Sequence, residues 1–107
     1  MTERVLVINT GGTLTMERGA TGYAPVPDVL RRLAATVPEE IAPTLPACDY
    51  EEWETLLDSS NIQPAHWVRL ARRIAAAQDS HAGCVVLHGT DTMAYSASAL
   101  AFQLEGI

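Results

Sequence analysis

Residues 4–8, RVLVI, put four apolar and largely β-branched side chains in a row with no polar alternation. A run of that kind fits a strand covered on both faces, as strands inside a parallel sheet are. Residues 83–87, GCVVL, repeat the pattern. Between them, ACDYEEWETLLDSSN reads two ways: Tyr50, Trp53, Leu56 and Leu57 fit a helical period, whereas its aromatic content and its place among helices favour a strand ending near Leu57. Helical stretches separate these runs. DVLRRLAATV gathers Val29, Leu30, Leu33, Ala34 and Val37 on one face with Asp28 at its mouth as the expected cap. PAHWVRLARRIAAAQ begins at Pro64, suited to a first helical turn, and aligns Trp67, Leu70, Ala71, Ile74 and Ala75. TMAYSASALAFQL follows an Asp91 or Thr92 cap and stops at Gly106. Alternating strands and helices predict an α/β fold, a doubly wound, mostly parallel sheet with flanking helices. Pro38, Pro43 and Pro46 mark a surface connection, and Thr10 to Pro27 reads as a long Gly-, Thr- and Pro-rich loop, functional or mobile.

At 107 residues the chain is one domain at most and short for a complete α/β enzyme. FQLEGI breaks off at a helix end where a doubly wound pattern asks for the next strand. Residues 1–107 are therefore expected to be the incomplete amino-terminal part of a larger protein, inefficient as a catalyst alone. The net charge of −6 repels phosphate backbones and anionic membranes, so neither nucleic acid nor a membrane is an expected partner. Cys48 and Cys84 offer no disulfide framework, and MTERVLVINTGG has neither a signal-peptide core nor a membrane span. A cytoplasmic protein is expected.

Ligands of open parallel sheets bind outside the carboxyl ends of the strands. NTGGTLT, LLDSSN and HGTDT each follow a predicted strand, and all carry small hydroxyl residues. The pair Gly11 and Gly12 allows close backbone approach to a ligand, although neither GxGxxG nor a Walker A ending is present. His66, His81 and His88 lack ligand spacing and no Cys/His cluster exists, so no metal or cofactor is expected. A threonine becomes a nucleophile once a base takes its proton, which makes Thr13 and Thr90 candidates, Asp91 a partner carboxylate and the loop amides an oxyanion site.

TGGTLTM and HGTDTMAYSASALAF closely resemble the two signature motifs of bacterial-type L-asparaginases. GYAPVP and LLDSSNIQPAHW resemble the cytoplasmic type I members, so the likeness spans nearly the whole chain. The resemblance implies a two-domain amidohydrolase acting on the small molecule L-asparagine, a homodimer or homotetramer whose site is completed by a neighbouring subunit. It implies Thr13 as nucleophile, Tyr23 on a closing lid as its polarising partner, Ser59 as grip on the substrate α-carboxylate and Ser60 as a further substrate contact. Thr90 and Asp91 correspond to the second triad's Thr and Asp, with Asp91 also meeting the α-ammonium. That triad's lysine has no counterpart here, since all seven basic residues are Arg.

Plainer roles stand beside these. Thr13 and Asp91 could serve as caps, and His88 orients its loop rather than moving protons. Trp53, Trp67, Tyr95 and Phe102 read as core or interface, Cys48 and Cys84 as inert, and Arg69, Arg72 and Arg73 as a solvated face able to pair with acidic neighbours. The rival activities are a glutaminase-asparaginase and an asparaginase-like subunit of a tRNA-dependent amidotransferase. A non-catalytic amino-acid-binding or assembly module is the rival of a different class.

Overall fold

The computed structural model describes residues 4–12, 16–20, 22–25 and 28–106, and of residues 17, 23–25 and 29 it describes the backbone alone. Three parallel strands form the main sheet in the order β4-β1-β5, with β1 (Val5–Gly11) at the centre, β4 (Cys48–Leu57) on one side and β5 (Gly83–Leu87) on the other. The α/β doubly wound reading holds. The chain steps from the centre to one side and then across to the other. Right-handed crossovers in those two opposite directions put the helix that follows β1 and the helix that follows β4 on opposite faces.

Alternation along β4 shows the two faces. Glu51 reaches Arg73 of α2 (Pro64–Ala77), and Arg69 of the same helix lies 4.3 Å over the Trp53 ring. Glu52, on the opposite side of the strand, binds the backbone of Asp28 just ahead of α1 (Val29–Ala34). The α2 face holds the core: Leu6 and Ile8 of β1, Trp53, and Leu70 and Ala77 of α2, supported by Ile74, Cys84, Val86 and by Leu100 of α3 (Met93–Gln103). Leu6, Ile8 and Leu70 are almost wholly buried, each stabilising the fold by about 1.5–3 kcal/mol through removal of apolar surface from water.

Several local expectations change. The stretch read as one long loop contains an antiparallel hairpin, β2 (Met16–Gly19) and β3 (Gly22–Pro25). Its alternation is too short, and too interrupted by glycine, to stand out as strand in sequence. Asp28 does not cap α1 with its side chain: its backbone is left-handed, with φ of 61°, and its carboxylate lies 3.7 Å from Arg31. Helix α1 closes at Ala34, which leaves Val37 in the following turns. In α2, His66 accepts the Gln63 amide at 2.8 Å and Ala75 is exposed, so the buried stripe is narrower than its periodicity predicts. Neither Asp91 nor Thr92 caps α3 through its side chain; Thr92 stands at the cap position with its hydroxyl turned elsewhere. Val85 is half exposed because it points to the face opposite Cys84 and Val86, which pack against the core beside α2.

Candidate functional site

The register of the sheet delivers the site. β1 and β4 pair residue for residue from Val5 opposite Cys48 to Asn9 opposite Glu52, after which β1 advances two residues while β4 advances five, bringing Leu57 opposite Gly11. The bulge carries Asp58 and Ser59 to the carboxyl tip of β1. Such irregularities re-aim side chains and end pairing.

The three strand-end loops meet there. Gly12, with φ of 100°, lies so close to the third loop that a Cβ on it would stand 2.8 Å from the Gly89 nitrogen. A Cβ on Gly89 would stand 2.5 Å from Ser59 Oγ. Ser59 joins the second and third loops: its Oγ accepts the Asp91 amide at 3.1 Å, and its carbonyl accepts the Thr92 hydroxyl at 2.7 Å. Thr10 Oγ1 donates to the Leu87 carbonyl at 2.7 Å, tying the tip of β1 to that of β5.

A cleft of about 140 Å³ opens between these loops, lined by Gly12, Met16, Asp58, Ser59, Gly89, Thr90 and Asp91. Sites for drug-sized ligands run to roughly 300–1,000 Å³, so the cleft suits a small polar molecule. A larger cavity of about 560 Å³ lies along the edge of β5 beneath α3, lined mainly by apolar side chains such as Ile74, Val86, Leu100 and Leu104. It lacks the convergent amides, hydroxyls and carboxylates that could orient a polar guest.

Behind the cleft, Ser96 of α3 accepts the Trp67 indole N–H at 2.7 Å and meets His88 Nε2 at 2.8 Å, while His88 Nδ1 donates to the Gly89 carbonyl. The imidazole is therefore a brace between α3 and the HGTDT loop, in keeping with a loop-orienting role. Among the described residues the buried polar ones are Asn9, Thr10, Ser59 and Ser96. All four belong to this strand-end region and its brace, where polar side chains replace apolar packing because the loop amides need partners.

Of the sequence-predicted site residues, Ser59, Thr90 and Asp91 come together in the cleft. Ser60 is exposed and does not itself line the cleft; its hydroxyl donates at 2.9 Å to Oδ1 of Asp58, which does. Thr13 lies outside the described residues; Tyr23 pairs with Arg18 in the hairpin through its backbone, and its side chain lies outside them. Asp58 and Gly89 were not singled out from sequence. The Ser60 amide, and then its hydroxyl, hold the Asp58 carboxyl below its ordinary range, so the cleft carries a fixed negative charge beside Asp91. The only advance signal for Asp58 was its place in LLDSSN. No group of three or more His, Cys, Asp or Glu among the described residues could hold a metal ion.

The family model described as Asparaginase, N-terminal, matches residues 4–107. L-asparaginase 1 of Escherichia coli (strain K12) is 46% identical over 103 residues, which cover 96% of this chain and 30% of that protein. The crystal structure of L-asparaginase I from Vibrio cholerae superposes with a TM-score of 0.82 at 38% identity, over 95% of this chain and 30% of that one. A glutamyl-tRNA(Gln) amidotransferase subunit of Archaeoglobus fulgidus is 38% identical over 94% of this chain and 23% of that protein. The chain thus spans less than a third of the length of these relatives.

Proposed function

The chain belongs to the asparaginase family, matching its N-terminal part over residues 4–107, and on that premise we propose that the protein is an amidohydrolase that converts L-asparagine to L-aspartate and ammonia. The observation that carries this reading is the meeting of Gly12, Ser59, Gly89, Thr90 and Asp91 in one small polar cleft at the carboxyl edge of the sheet. Thr13 follows Gly12 directly, so a substrate seated in the cleft has a hydroxyl nucleophile next in sequence to its wall.

In the first step Thr13 Oγ attacks the side-chain amide carbon, its proton passing to the departing nitrogen, and ammonia leaves behind an acyl-threonine ester. Water then adds to the ester, releasing the aspartate carboxylate and restoring the hydroxyl. Amides of the strand-end loops stabilise the oxyanion in both steps. Tyr23 polarises Thr13, Ser59 grips the α-carboxylate, Asp91 meets the α-ammonium, Thr90 activates the water, and Ser60 adds a contact at the rim. The fixed charge of Asp58 supports recognition of an ammonium group. The triad lysine comes from sequence outside these residues, and a neighbouring subunit of a cytoplasmic homodimer or homotetramer completes the site.

The test is release of ammonia from asparagine and from glutamine by the full-length protein, followed by Thr13→Ala. Turnover of asparagine that Thr13→Ala abolishes supports the reading, and a fully active Thr13→Ala protein removes Thr13 as nucleophile. The likeness to an amidotransferase component favours a second reading in which the released ammonia serves a partner enzyme. Ammonia release that depends on added partner and its acylated substrate distinguishes it.

A further inference from the structure

Asn9 is almost wholly buried at the tip of β1, and both ends of its amide are engaged. Its Oδ1 accepts the Gly11 amide at 2.9 Å, at the point where the chain leaves the sheet. Its Nδ2 donates to Glu52 Oε1 at 3.3 Å. The Glu52 carboxylate in turn accepts the Asp28 amide at 2.9 and 3.1 Å, at the point where the chain returns to begin α1. Asp28 is held there with φ of 61°, the only positive φ of a non-glycine residue among those described. Left-handed backbone costs an L-residue about 1–2 kcal/mol and persists where its surroundings impose it.

We propose that Asn9 and Glu52 are a two-ended clamp, positioning residues that fix where segment 12–27 leaves and re-enters the carboxyl edge of the sheet. One buried amide and one carboxylate hold both ends, at Gly11 and at Asp28, and so set the separation between them. The consequence for catalysis rests on the proposed function, since that segment carries Thr13 and Tyr23. Neither clamp residue lines the cleft, and both act through the backbone.

Donor and acceptor directions make the clamp testable by exchange. Glu52 Oε1 already receives both Asn9 and Asp28, so Glu52→Gln keeps an acceptor for each and is expected to retain function. Glu52→Ala removes both contacts. Asn9→Asp keeps the acceptor for Gly11 but sets a carboxylate against Glu52, and the double variant Asn9→Asp/Glu52→Gln restores the bridge with its polarity reversed. In the full-length protein, Asn9→Asp and Glu52→Ala are expected to lower kcat on asparagine by roughly 10–100-fold, the scale of a misplaced reacting group. The double variant recovers most of that loss. Amide hydrogen exchange of peptides covering 9–28 is expected to accelerate in Asn9→Asp and Glu52→Ala and to return in the double variant, whether or not asparagine is the substrate. Wild-type exchange in Glu52→Ala, or a double variant no better than Asn9→Asp in both readouts, overturns the clamp. Recovered exchange in a protein inert toward asparagine upholds the clamp and overturns the function proposed for the segment.

Discussion

Replacing Gly12 with alanine tests the convergence of the loops at its tightest point. The added methyl carbon would stand 2.8 Å from the Gly89 nitrogen, 3.0 Å from Gly89 Cα and 3.1 Å from the His88 carbonyl carbon. All three are backbone atoms, so no side chain can swing aside, and the HGTDT loop itself has to retreat. Two costs combine. A φ of 100° is strained for any residue with a Cβ, at about 1–3 kcal/mol, and overpacking that forces backbone to shift adds about 1–3 kcal/mol. A total of roughly 2–6 kcal/mol is a large share of the 5–15 kcal/mol that holds a typical domain folded. Gly22 supplies the control, because its φ of 111° is similar and a Cβ there meets nothing within 4 Å. Gly22→Ala should therefore lose the strain term alone. Urea unfolding of the full-length protein, followed by tryptophan fluorescence, reads the difference, since Trp53 lies in the core and Trp67 in the brace behind the cleft. A Gly12→Ala midpoint no lower than that of Gly22→Ala would refute the close approach of the two loops.

Two further outcomes follow from the hydrogen-bond pattern. Thr10→Val retains the shape of a buried side chain but removes the bond from Oγ1 to the Leu87 carbonyl; it should cost about 1–2 kcal/mol, read as a lower urea midpoint at unchanged slope. At the other end of the sheet, Arg4 and His81 both bind Asp49, Arg4 through two nitrogens, and these bonds hold its carboxyl well below the ordinary carboxylate range. A depressed folded pKa contributes stability that is present above the unfolded value of about 3.9 and is lost as pH falls below it. Asp49→Asn should thus be less stable than wild type at neutral pH, and the gap should close as pH falls below about 4. A gap that is constant between about pH 7 and 3 would show that the pairing is not the cause.

The order of elements and the three strand-end loops are legible in the residues alone, because short apolar runs and 3.6-residue stripes are properties of neighbouring residues. RVLVI and GCVVL became adjacent strands, the helix at Pro64 ran to Ala77, and the ambiguous segment formed a strand ending at Leu57. Ser59, Thr90 and Asp91 were likewise legible, through motifs that place hydroxyls and a carboxylate after strands. Tertiary structure decided what depends on partners distant in the chain. Asp28 gave up its expected cap because its amide is held by Glu52, and Thr92 did so because its hydroxyl is bound to Ser59. Ser59, and not Ser60, lines the cleft because its Oγ and carbonyl are bound by Asp91 and Thr92 of a loop some thirty residues further on, at a strand end whose register shift two strands set together. The clamp of Asn9 and Glu52 belongs to the same class: 43 residues separate its members, and only the pairing of β1 with β4 brings them into reach.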